Sequence, residues 1–172
     1  MIQPINQNIN IQLPNAQRNY TLFDQNKVAS IVEKKERALP FLKLILESSN
    51  DEKLVVESLY IIDRMLDQGV KGIPAMYPTF SKLNNTQSPN IQTFLAGIYR
   101  KTQVPDAFGP LVSMLIKNSI IEGTGNGEQG TASLINQSPL KQPFDANEEI
   151  GGAILEYIKN YSNNPKKIDY TA

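Results

Sequence analysis

The chain has 172 residues, enough for one domain with tails, and its 17 basic and 17 acidic side chains cancel, so no overall field draws it to nucleic acid. It contains neither histidine nor cysteine. Disulfides, thiolate nucleophiles, imidazole bases and the usual zinc ligand sets are thereby excluded, which leaves carboxylates, Lys, Ser, Thr and Tyr as the available chemistry.

Residues 1–26 hold six Asn and five Gln, with Pro4 and Pro14, and their apolar residues are scattered. Such a composition buries too little surface to offset the entropy of ordering, so a disordered segment is expected there. Within it Ile9, Ile11 and Leu13 alternate with polar residues, as on one face of a strand. The first 17 residues carry no basic side chain and no compact apolar block, so no secretory signal is expected. Apolar stretches such as "LVVESLYII" (54–62) fall well short of the ~20 residues that cross a bilayer, and the expectation is a soluble, cytoplasmic protein.

Asp24 or Asn26 can cap a helix near 27–36, in which Val28, Ile31 and Val32 recur at helical spacing. "ERALPFLKLILESSND" then places Leu39, Leu42 and Leu46 on a broad apolar stripe, giving a second helix at about 39–48 that ends in a polar turn. "DEKLVVESLYIIDRMLDQG" opens on acidic residues, runs Val55, Leu59, Ile62 and Leu66 along one face, and stops at Gly69. "GIPAMYPTFSKLN" (72–84) follows, then a turn at "NNTQSPN", a helix with Ile91, Leu95 and Ile98, a turn at "QVPD", and a helix through Ile120. The periodicity is helical throughout, and the fold class expected is all-α.

Residues 51–86 superpose on 87–122 without a gap at an offset of 36: Val55 on Ile91, Leu59 on Leu95, Ile62 on Ile98, Arg64 on Arg100 and Pro74 on Pro110. Pro40 lies 34 residues ahead of Pro74 and opens the same pattern. Proline fits the first turn of a helix, where its missing N–H costs nothing. It also biases the residue before it (Leu39, Ile73, Gly109) toward an extended shape, which predicts a sharp corner between the two helices of each unit. Pro78 breaks the pattern, since four residues into a helix it would clash with the Pro74 carbonyl; the helix either kinks there or starts late. These units, each an apolar helix ending in Ile-x-Arg or Ile-Asp-Arg, a corner, and an apolar-Pro-x-apolar second helix, resemble HEAT-type (armadillo-like) repeats over residues 27–121, about half the chain. The resemblance implies a short α-solenoid of two to three helical hairpins that serves as protein-binding scaffolding.

In HEAT-like arrays the second helices line the concave side. Counting three and seven residues beyond each repeat proline gives Lys43 and Glu47, Tyr77 and Ser81, Ser113 and Lys117, with Lys82 adjacent. These are the candidate partner-binding residues, with Tyr77 as a peptide anchor because an aromatic buries area while keeping a polar tip. The partner expected is a protein or peptide. Nucleic acid is disfavoured, since residues 71–120 hold only Lys71, Lys82, Arg100, Lys101 and Lys117 against Asp106. Residues 122–149 are acidic, with Glu122, Glu128, Asp145, Glu148 and Glu149 against Lys141, and could fold back over the basic stretch.

No catalytic, cofactor-binding or metal-ligating set emerges. "EGTGNGEQG" (122–130) has the glycines of a phosphate loop but neither the preceding strand nor the following Lys-Ser/Thr. The carboxylate pairs Glu33/Glu36 and Asp63/Asp67 are expected on helix exteriors, with ordinary acidity. Arg64 and Arg100, which recur in register, are expected to bond turn carbonyls or to pair with Asp63 or Asp67. Residues 122–145 read as a flexible linker. A C-terminal amphipathic helix at 146–162 carries Ile150, Ala153, Ile154, Tyr157, Ile158 and Tyr161 on one stripe, either capping its own chain or docking on another protein or a second copy, before a loose tail at 163–172.

Overall fold

A computed structural model of the chain describes residues 23–124 and 146–163. The expected disordered N-terminal segment up to residue 22, its Ile9/Ile11/Leu13 alternation, the linker from residue 125 and the tail from residue 164 lie outside the described residues. The described part is all-α: α1 (Gln25–Val32), α2 (Leu39–Ser48), α3 (Glu52–Asp67), α4 (Tyr77–Ser81), α5 (Pro89–Thr102), α6 (Phe108–Thr124) and α7 (Ala146–Asn163).

The folded part begins earlier than the composition suggests, because Phe23 is buried against the Tyr60 ring, centroids 5.6 Å apart. Asp24 is the α1 cap, its Oδ1 accepting from the Asn26 and Lys27 amides at 2.9 and 3.2 Å. Instead of continuing to residue 36, α1 stops at Val32. Beyond Val32 the next turn of the buried stripe would be Lys35 and Glu36, which cannot enter a core. Lys35 turns into the left-handed region (φ 51), a 3-10 turn over Lys35–Ala38 carries the chain into α2, and Glu36 faces out to accept the Lys71 amide at 3.0 Å.

The helix N-termini follow the sequence chemistry closely. The Asp51 carboxylate accepts the Lys53 amide at 3.0 Å and caps α3, and the Ser88 hydroxyl accepts the Ile91 amide at 3.2 Å and caps α5. Prolines occupy the first turns of α2, α4 and α5. The corners are not where the prolines predict them. Leu39 (φ −60, ψ −43) and Ile73 (φ −68, ψ −40) are helical, and Gly109 lies inside α6. The preference of a pre-proline residue for extended backbone is only a bias, and the packing of the second helices overrides it. The chain reverses instead at Gly69 (φ 75) and Gln103 (φ 52), where a left-handed backbone ends α3 and α5, and at Gly72 (φ 90) in the bend before Pro74. Pro78 resolves by a late start: Pro74–Met76 form a 3-10 turn, and α4 begins at Tyr77 with Pro78 in its first turn.

α3 and α5 are the central helices. α3 buries Val55, Val56, Leu59, Tyr60, Ile61, Ile62 and Met65, and α5 is buried continuously from Asn90 to Tyr99, as helices flanked on several sides must be. α3 packs on α1, α2 and α5, α5 packs on α7, α6 also packs on α7, and α2 touches α4. α6 runs to Thr124, past Ile120 and into the segment read as linker. α7 lays Ile150, Ala153 and Tyr157 against its own chain, whereas Ile158, expected on that stripe, is 46% exposed. Tyr157 fixes the docking: its hydroxyl donates to Val104 O at 2.6 Å and lies 3.2 Å from Tyr99 O, and its ring packs on Phe108 and Tyr161.

Candidate functional site

The candidate residues come from α2, α4 and α6, and the structure joins three of them directly. Lys43 and Glu47, one turn apart on α2, pair at 3.5 Å. Glu47 Oε1 also takes Lys82 Nζ at 3.0 Å, and its Oε2 accepts the Thr79 hydroxyl at 2.8 Å. These bonds, the Thr79 hydroxyl first and the Lys82 ammonium next, hold the Glu47 carboxyl down at about 2. Thr79 is 2% exposed, and its place in this set has no periodicity to announce it.

Tyr77, expected as a peptide anchor, is half-buried and bonded within its own chain. Its hydroxyl donates to Asp106 O at 3.0 Å and its ring lies 5.7 Å from Tyr99, so it ties α4 to the turn before α6. α4 is only five residues long, so the face shared by Tyr77 and Ser81 is a single turn; the Ser81 hydroxyl donates back to Pro78 O at 2.9 Å. Ser113 and Lys117 are exposed on α6, where Lys117 Nζ donates to Asn85 Oδ1 at 3.2 Å.

Two constellations escape the sequence reading. Asp63, expected on a helix exterior, is 2% exposed, and its partner is Lys101, not an arginine: Nζ lies 2.9 Å from Asp63 Oδ1, off the line of a proper hydrogen bond, and 2.7 Å from Asp67 Oδ1. Burial raises the Asp63 carboxyl to about 6 against the lowering pull of Lys101. The second is a chain of carboxamides between α5, α6 and α7. Asn118 Nδ2 donates to Gln92 Oε1 at 2.9 Å and to Asn147 Oδ1 at 2.7 Å, while Gln92 Nε2 donates to Thr86 O at 3.0 Å. Beside it lies an open cleft of about 320 Å³ reaching from Asn84 to Ile120. Gln92 is buried on α5 between two other buried polar residues, Asn90 and Thr93, and no spacing in the sequence marks it as part of this network.

The geometry therefore offers a charged patch on α2 and α4 and an amide-lined cleft beside α6. Among the described residues no three Asp or Glu side chains come together as a cation site, and no helix is long and apolar enough to cross a membrane. No family model, no curated protein and no solved structure matches this chain.

Proposed function

We propose that the chain is a non-catalytic binding module, a short HEAT-like helical array, cytoplasmic, that holds a protein or peptide on the face formed by its second helices α2, α4 and α6. The observation that carries this reading is the mixed character of that face. Lys43, Glu47 and Lys82 form a fixed charged patch, and Leu44 (63%), Ile116 (55%) and Ile120 (56%) stand exposed on the same helices. Exposed apolar side chains together with oriented charge on the same helices suit a protein partner, which needs both buried area and register. The 36-residue offset supports the array, since the Ser88 hydroxyl donates to Glu52 and Lys101 reaches Asp67, each bond linking one hairpin to the next.

The test is to pan a displayed peptide library on the full chain and rebind the selected peptides to Leu44→Ser and Lys82→Glu. Selected sequences that lose affinity for both variants support the reading. A chain that enriches nothing, or that instead binds a single-stranded oligonucleotide with steep salt dependence, refutes it. A structural role in a larger assembly is the second reading, favoured by Leu155, which is 67% exposed on the outer side of α7.

A further inference from the structure

The cleft beside α6 is built from unlike parts that point to one ligand chemistry. Gln92 and Asn118 brace each other at its base, and Asn118 is held in turn by Asn147 of α7, so the wall has little freedom to collapse. Asn84 Oδ1 is occupied by the Tyr99 hydroxyl at 2.6 Å, which leaves the Nδ2 hydrogens as that side chain's donors. Asn85 is oriented likewise, its Oδ1 receiving Lys117, and the ammonium keeps two further N–H groups. Apolar surface comes from Ile120 at the mouth, which is 56% exposed, with the buried Met114 behind it. Among the described residues lining the cleft none is acidic and none is aromatic.

Described lining residues that offer oriented donors, one cation, apolar surface and no carboxylate are matched to an acceptor-rich anion that carries a hydrophobic group. We infer that this cleft takes a short extended peptide segment bearing a carboxylate beside an aliphatic side chain. The carboxylate sits on Lys117, the aliphatic group covers Ile120, and the peptide carbonyls accept from the Asn84 and Asn85 amides. Its volume suits roughly two or three residues, at the small end of ligand pockets. Nucleic acid is the poorer fit, because one lysine neutralises little of a phosphate chain and none of the described lining residues carries a ring for a base to stack on. The inference rests on the peptide-binding reading above and assigns it a place.

The experiment uses the full chain and a fluorescein-labelled peptide in which leucine alternates with aspartate, followed by fluorescence anisotropy. A control peptide carries asparagine for aspartate, and a labelled oligonucleotide tests the other class. Binding of the acidic peptide should exceed that of the control, and Lys117→Gln and Ile120→Ser should each weaken it about fivefold, as expected for a rim charge and an exposed aliphatic contact. Both substitutions are at exposed positions, and circular dichroism checks the fold. Leu44→Ser separates the two claims. Peptide affinity lost on Leu44→Ser but unchanged by Lys117→Gln and Ile120→Ser overturns the cleft while leaving the wider face in place. Equal affinity for the asparagine peptide, or preference for the oligonucleotide, overturns it outright.

Discussion

Lys101 reaches from the last turn of α5 back to α3 and places its ammonium 2.9 Å from Asp63, a carboxylate only 3% exposed, while holding the half-exposed Asp67 at 2.7 Å. One flexible cation thus joins the two central helices at the only buried acid of α3. The arrangement carries a cost, because desolvation of the Asp63 carboxylate outweighs the attraction of Lys101 and raises its pKa from 3.8 to about 6.

That shift sets a pH dependence with a definite sign. Between about pH 4 and 6 the folded chain keeps a proton that the unfolded chain has released, so this group's contribution to stability is greatest below about pH 4 and declines as pH rises through 6. The groups facing Asp63 are Lys101, Asp67 and Arg100, the last two acting more weakly. Asp63→Asn removes the titration. The unfolding free energy of the variant, minus that of the parent, should rise by on the order of 2 kcal/mol between pH 4 and 7. Urea unfolding at several pH values measures it, and a difference that stays flat with pH would show that Asp63 titrates normally.

Glu47 works in the opposite sense. Its carboxyl lies at about 2 in the fold against an ordinary 4.5, so the stability it lends is complete above about pH 4.5 and disappears as pH falls toward 2. Glu47→Gln should lower the melting temperature at neutral pH and leave it unchanged near pH 2. A deficit of equal size at both pH values would mean that Glu47 acts through packing and not through the Thr79 and Lys82 bonds.

Gly97 sits in the middle of α5, where glycine weakens a helix. A methyl group there would meet Asp63 Oδ1 at 3.5 Å, an ordinary contact, and its backbone is helical. Gly97→Ala should therefore stabilise the chain by about 0.5–1 kcal/mol, visible as a melting temperature raised by a few degrees. A lowered midpoint would show that the methyl group displaces Lys101 from Asp63.

The elements whose cause is local were legible in the sequence: Asp24 as a cap, the stripe of α3, and Gly69 as its stop all act within one helical turn. The corners were misplaced because proline's effect on its neighbour is a bias of the backbone, and packing between helices decides it, as at Ile73. Periodicity put Asp63 outside because it assumes a helix with one buried face, whereas α3 is enclosed by α1, α2 and α5. The bond that Tyr77 makes was out of reach for a related reason: its partner is the Asp106 carbonyl, 29 residues away in sequence, and no spacing rule encodes it. The charged pairing of Lys43 with Glu47 was readable from a single turn, but the arrival of Lys82 and Thr79 needed the tertiary fold.

Tyr157 is the lock between α7 and the rest of the chain, and it decides whether that helix stays home. Its ring is fully buried, packed on Phe108 and Tyr161, and its hydroxyl donates to the Val104 carbonyl in the turn after α5. Tyr157→Phe keeps the ring and removes one donor, leaving that carbonyl without its phenol; the expected cost is about 1 kcal/mol. Tyr157→Ala removes the ring as well and should cost about 3–5 kcal/mol, the usual range for a buried aromatic cut to alanine. If α7 is an integral part of the folded unit, both variants shift the urea midpoint in that order while unfolding stays a single transition with an unchanged slope. If α7 is instead a separable arm, Tyr157→Ala splits off a first transition with helix loss confined to α7, and amide exchange in Ala146–Asn163 accelerates while α3 and α5 stay protected. The Asn160 amide, which donates to Gln103 Oε1 at 2.7 Å beside the left-handed turn, gives an independent handle on the same junction, and Asn160→Ala should move the midpoint in the same direction as Tyr157→Phe.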